Sequence, residues 1–185
     1  SPLASLVSQY SDYLRDEGNT AEHVPKVEAR IERLIEKTKA RTLSDLTAEA
    51  VHKALADLRR KDRLSAQTSN HYLTVAKSFF YWLVEHGRVA TNPLLRLSKL
   101  NVQPDRRRVR RALTIEQIQA LLTAAEGGPM LYGMSGYDRR VIYMLAISTA
   151  LRQNEIRNLK VRDFHLDDET PFVWAEAQNA KNRKG

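Results

Sequence analysis

Cysteine is absent from these 185 residues, which excludes disulfides and thiolate metal sites. The histidines at 23, 52, 71, 86 and 165 never pair at metal-ligand spacing, so no metal and no other cofactor is expected. No run approaches the roughly 18 to 20 apolar residues that a membrane span requires. The opening Ser-Pro-Leu-Ala-Ser also lacks the basic-then-apolar pattern of a secretory signal, and a cytoplasmic protein without membrane contact is expected. Glycine (7) and proline (6) are too sparse for a collagen-like or low-complexity chain, and no internal repeat is visible. With 42% hydrophobic residues the chain can bury a real core.

Positive charge is in excess. Thirty Lys and Arg against 22 Asp and Glu give a formal charge of +8, which attracts polyanions, of which nucleic acid is the commonest. A merely solubilising surface would spread that charge. Here Arg96, Lys99, Arg106, Arg107, Arg108, Arg110 and Arg111 crowd one short stretch against a single acid, Asp105, and such a stretch repels itself unless an anion covers it.

The hydrophobic pattern reads as mainly α. Leu3, Leu6, Val7, Tyr10, Tyr13 and Leu14 recur at helical spacing; Gly18 and Asn19 break the helix, and Thr20 is expected to cap the next, whose stripe is Val24, Val27, Ile31, Leu34 and Ile35. Thr47 suits the N-cap of a helix burying Val51, Ala54, Leu55 and Leu58. A longer helix from about Ala66 to His86 carries Tyr72, Val75, Ala76, Phe79, Phe80 and Leu83 inward and stops at Gly87. Four helices make a bundle over residues 1–94. Residues 95–111, arginine-rich and without hydrophobic period, read as an extended basic linker, and 112–185 as a second domain.

That second domain opens with Thr114-Ile115-Glu116-Gln117, the spacing of a capping box, before a helix to about Glu126. After Gly127-Gly128-Pro129, the run Val141, Ile142, Leu145, Ala146 and Thr149 suggests a buried helix from Tyr137 to about Ala150, then a short helix from Arg152 to Lys160. Phe172, Val173 and Trp174 favour a strand, and Gln178 to Gly185 a hairpin tip, so a small β-hairpin joins an otherwise helical fold.

Chemistry concentrates at Ser148-Thr149-Ala150-Leu151-Arg152-Gln153-Asn154-Glu155-Ile156-Arg157-Asn158-Leu159. A guanidinium at the join of two helices offers two parallel hydrogen bonds to the non-bridging oxygens of a phosphate. Glu155, one turn on, is placed to hold it. By itself such a pair is most often an ordinary helical ion pair. The segment, however, resembles the arginine motif of the tyrosine recombinases, Thr-Gly-Leu-Arg-x-x-Glu-(apolar)-x-x-Leu, with Ala150 where the family has glycine.

Ala180-Lys181-Asn182-Arg183-Lys184-Gly185 resembles the lysine hairpin that follows in that family. The segments 65–72, 77–83, Gly87 and Asn92-Pro93-Leu94 resemble the end of its core-binding domain. The resemblance implies site-specific DNA recombination or integration on double-stranded DNA. Arg152 and Glu155 then serve the phosphate and Lys181 the leaving 5′ oxygen, while Thr68, Asn70, His71, Lys77, Arg106, Arg107, Arg108, Arg110, Arg111, Asn182 and Arg183 contact DNA. For Thr68, Asn70, His71 and Lys77, periodicity alone fits a plain solvent face equally well.

In that family a His-x-x-Arg motif, a further His or Trp and a tyrosine nucleophile follow the hairpin. None of the seven tyrosines here takes that position, so the chain is expected to be the DNA-binding part of a longer enzyme. It would be inactive and monomeric alone and self-assemble on DNA only when whole. The competing readings are a non-catalytic DNA-binding regulator with a helical bundle and basic arm, and a helical protein-interaction scaffold whose basic linker nucleic acid does not occupy.

Overall fold

Apolar side chains at helical spacing bring the first four helices together. The computed structural model describes residues 2–107 and 111–175. Helix α1 spans Pro2–Asp16, α2 His23–Thr38, α3 Ala48–Lys61 and α4 Ala66–Glu85. Their inner faces meet in one cluster that includes Leu3, Val7, Val27, Ile31, Val51, Leu55, Leu58, Phe79 and Leu83, all buried. The α1–α4 contact is aromatic: the Tyr10 ring centre lies 5.4 Å from Phe79 and 5.3 Å from Trp82, and Phe79 stacks on Trp82 at 6.0 Å. Burial there pushes the Tyr10 phenol up to about 12, with Tyr13 and Glu85 adding to the rise. The indole N–H of Trp82 is buried with no acceptor among the described residues.

The helix ends follow local chemistry. Thr47 and Ser65 cap α3 and α4, each hydroxyl accepting from the backbone N–H three residues on, and Gly87 closes α4 at φ +65°. Thr20 does not cap α2 with its side chain. The helix starts later, with Glu22 at the cap position and no side-chain bond, because the backbone turn fastened by His23 N–H to the Thr20 carbonyl already positions the first turn.

By internal contacts the chain divides into two units, Ser1–Val109 and Arg110–Gly185. The arginine-rich segment is tied to the first. Asn92 fastens its start, its side chain donating to the Lys77 carbonyl and accepting from Leu94 N–H. Onward to Arg107 the segment runs back beside α4, with a 3-10 turn at Gln103–Asp105.

The second unit is built from α5 (Ile115–Glu126), α6 (Gly136–Thr149), α7 (Gln153–Asn158) and an antiparallel pair, β1 (Phe164–His165) with β2 (Phe172–Val173), Phe164 opposite Val173. Thr114 and Gln117 form the expected capping box, and Ser135 with Asp138 forms another on α6. The α5–α6 corner is tight. A Cβ on Gly136 would lie 2.1 Å from the Glu126 carbonyl oxygen, so only glycine fits. Buried Arg139 locks the corner, donating to the carbonyls of Met134 (3.0 Å) and Ala125 (3.2 Å).

Helix α6 departs from its expected burial. Of the expected inward run, Val141 is 46% exposed and Ile142, Leu145, Ala146 and Thr149 are only half-buried, while Met144 and Ile147 are each 44% exposed. Among the described residues its main neighbours are α5 and the six-residue α7, too little surface to enclose a helix whose apolar residues lie on more than one side. Among the described residues no helix is long and apolar enough to cross a membrane.

Candidate phosphate-binding site

The site begins where α6 stops. Thr149 turns its hydroxyl back onto the Leu145 carbonyl (2.6 Å) and accepts from Leu151 N–H (3.3 Å), while Ala150 takes the left-handed conformation, φ 54° and ψ 18°. That reversal starts a new helix at once, with extended Arg152 (φ −74°, ψ 155°) as the N-cap of α7. Arg152 therefore sits at a chain corner, its position set by the backbone rather than by a long free rotor.

The Cβ of Ala150 makes this corner costly, since a left-handed residue other than glycine is strained by roughly 1 kcal/mol. We expect Ala150→Gly to stabilise the second unit by up to about 0.5 kcal/mol, the strain relief offset in part by the entropy glycine adds to the unfolded chain. A denaturant midpoint that falls in the variant would show that the αL geometry is not the source of strain.

Glu155 holds Arg152 at both ends. One carboxylate oxygen accepts from the Arg152 backbone N–H at 2.7 Å and the other from the guanidinium at 2.9 Å. The carboxylate is buried, with 6% of its side chain exposed against 59% for Arg152. A buried carboxylate needs its hydrogen bonds, so the pair is anchored from below and open above. The result is a guanidinium fixed in orientation and presented to solvent, with more N–H donors than Glu155 uses.

A second anchor of the same form follows. Buried Asp163 accepts from Lys160 N–H at 2.7 Å, and its own carbonyl accepts from Trp174 N–H at 2.8 Å, tying the α7 exit to the strand pair. His165 stacks on Phe172 across that pair, ring centres 4.4 Å apart. Asp163 was missed in the sequence, although Lys160-x-x-Asp163 repeats the spacing of Arg152-x-x-Glu155. Lys181, Asn182, Arg183, Arg108 and Arg110, with the hairpin expected over 178–185, lie outside the described residues.

In the first unit the candidate DNA residues separate into two groups. His71 is exposed on α4. Thr68 is occupied with the α4 cap, its hydroxyl 2.8 Å from that of Ser65. Asn70 bonds both backbone groups of Leu100, and Lys77 donates to the Leu95 carbonyl (2.9 Å). Arg107 donates to Asp105 and to the Arg63 carbonyl, while Arg106 is exposed and Arg111 reaches Gln117 at 2.8 Å within the second unit. Among the described residues no group of three side chains suits a metal ion.

Comparison with known proteins finds sequence similarity to tyrosine recombinases. The chain is 28% identical to the tyrosine recombinase XerC of Chromobacterium violaceum over 167 residues, 90% of this chain and 53% of that protein. It is 28% identical to XerC of Xanthomonas campestris over 104 residues, 56% of this chain and 30% of the relative. Against the tyrosine recombinase XerD of Listeria innocua the identity is 22% over 124 residues, 67% of this chain and 39% of the relative. Among solved structures, the integrase from mycobacterium phage Brujita superposes with a TM-score of 0.46 at 14% identity, covering 66% of this chain and 44% of that one. No family model matches. The chain thus spans between three tenths and about half the length of these curated relatives.

Proposed function

We propose that this chain, similar in sequence to tyrosine recombinases, is the DNA-binding and phosphate-gripping portion of a site-specific recombinase of the cytoplasm. Residues 1–94 act as the core-binding domain, 95–111 as the basic connector and 112–185 as the start of the catalytic domain. The observation that carries the reading is the exposed Arg152 guanidinium held from beneath by buried Glu155.

In the whole enzyme a tyrosine oxygen attacks a DNA phosphorus, and the bond to the 5′ oxygen breaks. A 3′-phosphotyrosyl link and a free 5′ hydroxyl result, and the phosphoryl bond energy is kept for rejoining. Arg152 grips the non-bridging oxygens as negative charge grows on them, and Lys181 delivers a proton to the departing 5′ oxygen. The 185-residue chain by itself binds double-stranded DNA and does not cut it, and assembly of several copies belongs to the whole protein.

Binding is tested by titrating labelled duplex against salt. Counterion release makes log affinity fall linearly with log salt, by about 0.9 for each phosphate neutralised. Replacing the exposed Arg106 with alanine is expected to flatten that slope by about 0.9 while the helical circular dichroism stays unchanged. Salt-insensitive binding, or none, would return the chain to the class of protein-interaction scaffolds.

A further inference from the structure

We propose that Asn70 and Asp105 are positioning residues: they clip residues 95–107 along α4 and so set how much tether links the two units. The bonds are spaced along the strap. Lys77 Nζ donates to the Leu95 carbonyl. The Asn70 side chain donates to the Leu100 carbonyl (2.9 Å) and accepts from Leu100 N–H (2.8 Å), satisfying both backbone groups as a neighbouring strand would. Asp105 then accepts from Ala66 N–H (2.6 Å), an end group of α4 that the helix itself cannot satisfy, and from Arg107 (3.1 Å). Arg107 adds a bond to the Arg63 carbonyl (2.9 Å). The Ala66 N–H, with Arg107 beside it, holds the Asp105 carboxyl below the usual carboxylate range.

Chain geometry gives the clips their consequence. From Arg107, bonded within the first unit, to Arg111, bonded within the second, there are four peptide steps, and four steps reach at most about 14 Å. If the strap lifts back to Leu97, which packs against the core, the same span grows to 14 steps, or about 50 Å. The clips therefore shorten the stretch of chain left free between the two units. The sequence pattern offered Asn70 as a DNA contact; its amide is instead committed to the chain's own backbone.

This inference rests on reading 95–111 as the connector of two functional units, and its test uses no DNA, so its failure is distinct from failure of DNA binding. In the 185-residue chain, Asn70→Ala with Asp105→Ala should speed tryptic cleavage after Lys99 about tenfold or more, read by mass spectrometry, because the strap opens without global unfolding. Spin labels on Lys53→Cys and Thr123→Cys, feasible because the chain has no cysteine of its own, should show a broader distance distribution in the double variant. Thr74→Ala, on the exposed side of α4, should change neither. If the double variant melts the bundle, Asn70→Ala alone gives the same readouts, its side chain lying outside the core. Cleavage and distances equal to those of the unaltered chain would overturn the proposal.

Discussion

Arg152→Ala, made in a chain extended to the length of the curated relatives, is expected to slow strand cleavage by about a thousandfold or more while duplex affinity changes only a few-fold. The magnitude follows from where the side chain sits. Its backbone is pinned at a corner between α6 and α7, and its guanidinium is oriented by a buried carboxylate, so a phosphate meeting it would call for no reorganisation. Preorganised donors of that kind act mainly where charge develops, hence on rate rather than on affinity. Lysine should rescue little, because it carries the charge without the planar fork. The measurement is single-turnover cleavage of a nicked site; undiminished cleavage would remove Arg152 from the chemistry.

Phe79→Ala is expected to destabilise the first unit by about 3–5 kcal/mol. Phe79 is 1% exposed and packs against Tyr10, Phe80 and Trp82, with ring centres 5.4 to 6.0 Å away. Rings from two helices frame the vacated space and cannot all close on it. A unit of this size loses roughly 4–8 °C per kcal/mol, so its melting point should drop by about 12–40 °C. The second unit has its own elements and should melt unchanged, which calorimetry separates. A drop below about 5 °C would mean that the cluster repacks around the gap.

How much of this was legible in the sequence depends on the range of the interaction that decides each feature. Helix faces and caps are local, so Val51, Leu55 and Leu58 lie buried together as their spacing indicates, and Thr114 meets Gln117. The same rule applied to Ser135 and Asp138 would have found the α6 cap. Thr20 misled because a backbone turn did the work expected of a hydroxyl. Helix α6 misled in a different way: an apolar run reports what a helix can bury, and only the neighbours decide what it does bury.

The site divides along the same line. Arg152 and Glu155 lie three residues apart, within reach of a motif, and their contact is present. Asn70 and Leu100 lie 30 residues apart, and nothing in either neighbourhood announces the pairing. A polar side chain on an outward helix face looks the same in sequence whether it awaits a ligand or already holds a loop.

The two tryptophans fall one to each unit, Trp82 sealed within the ring cluster and Trp174 53% exposed beyond β2. Indole emission shifts to the blue in a dry apolar shell and to the red in water. A single fluorescence spectrum of the unlabelled chain therefore carries two separable signals, and replacing either indole with phenylalanine leaves a built-in optical reporter for the other half of the molecule.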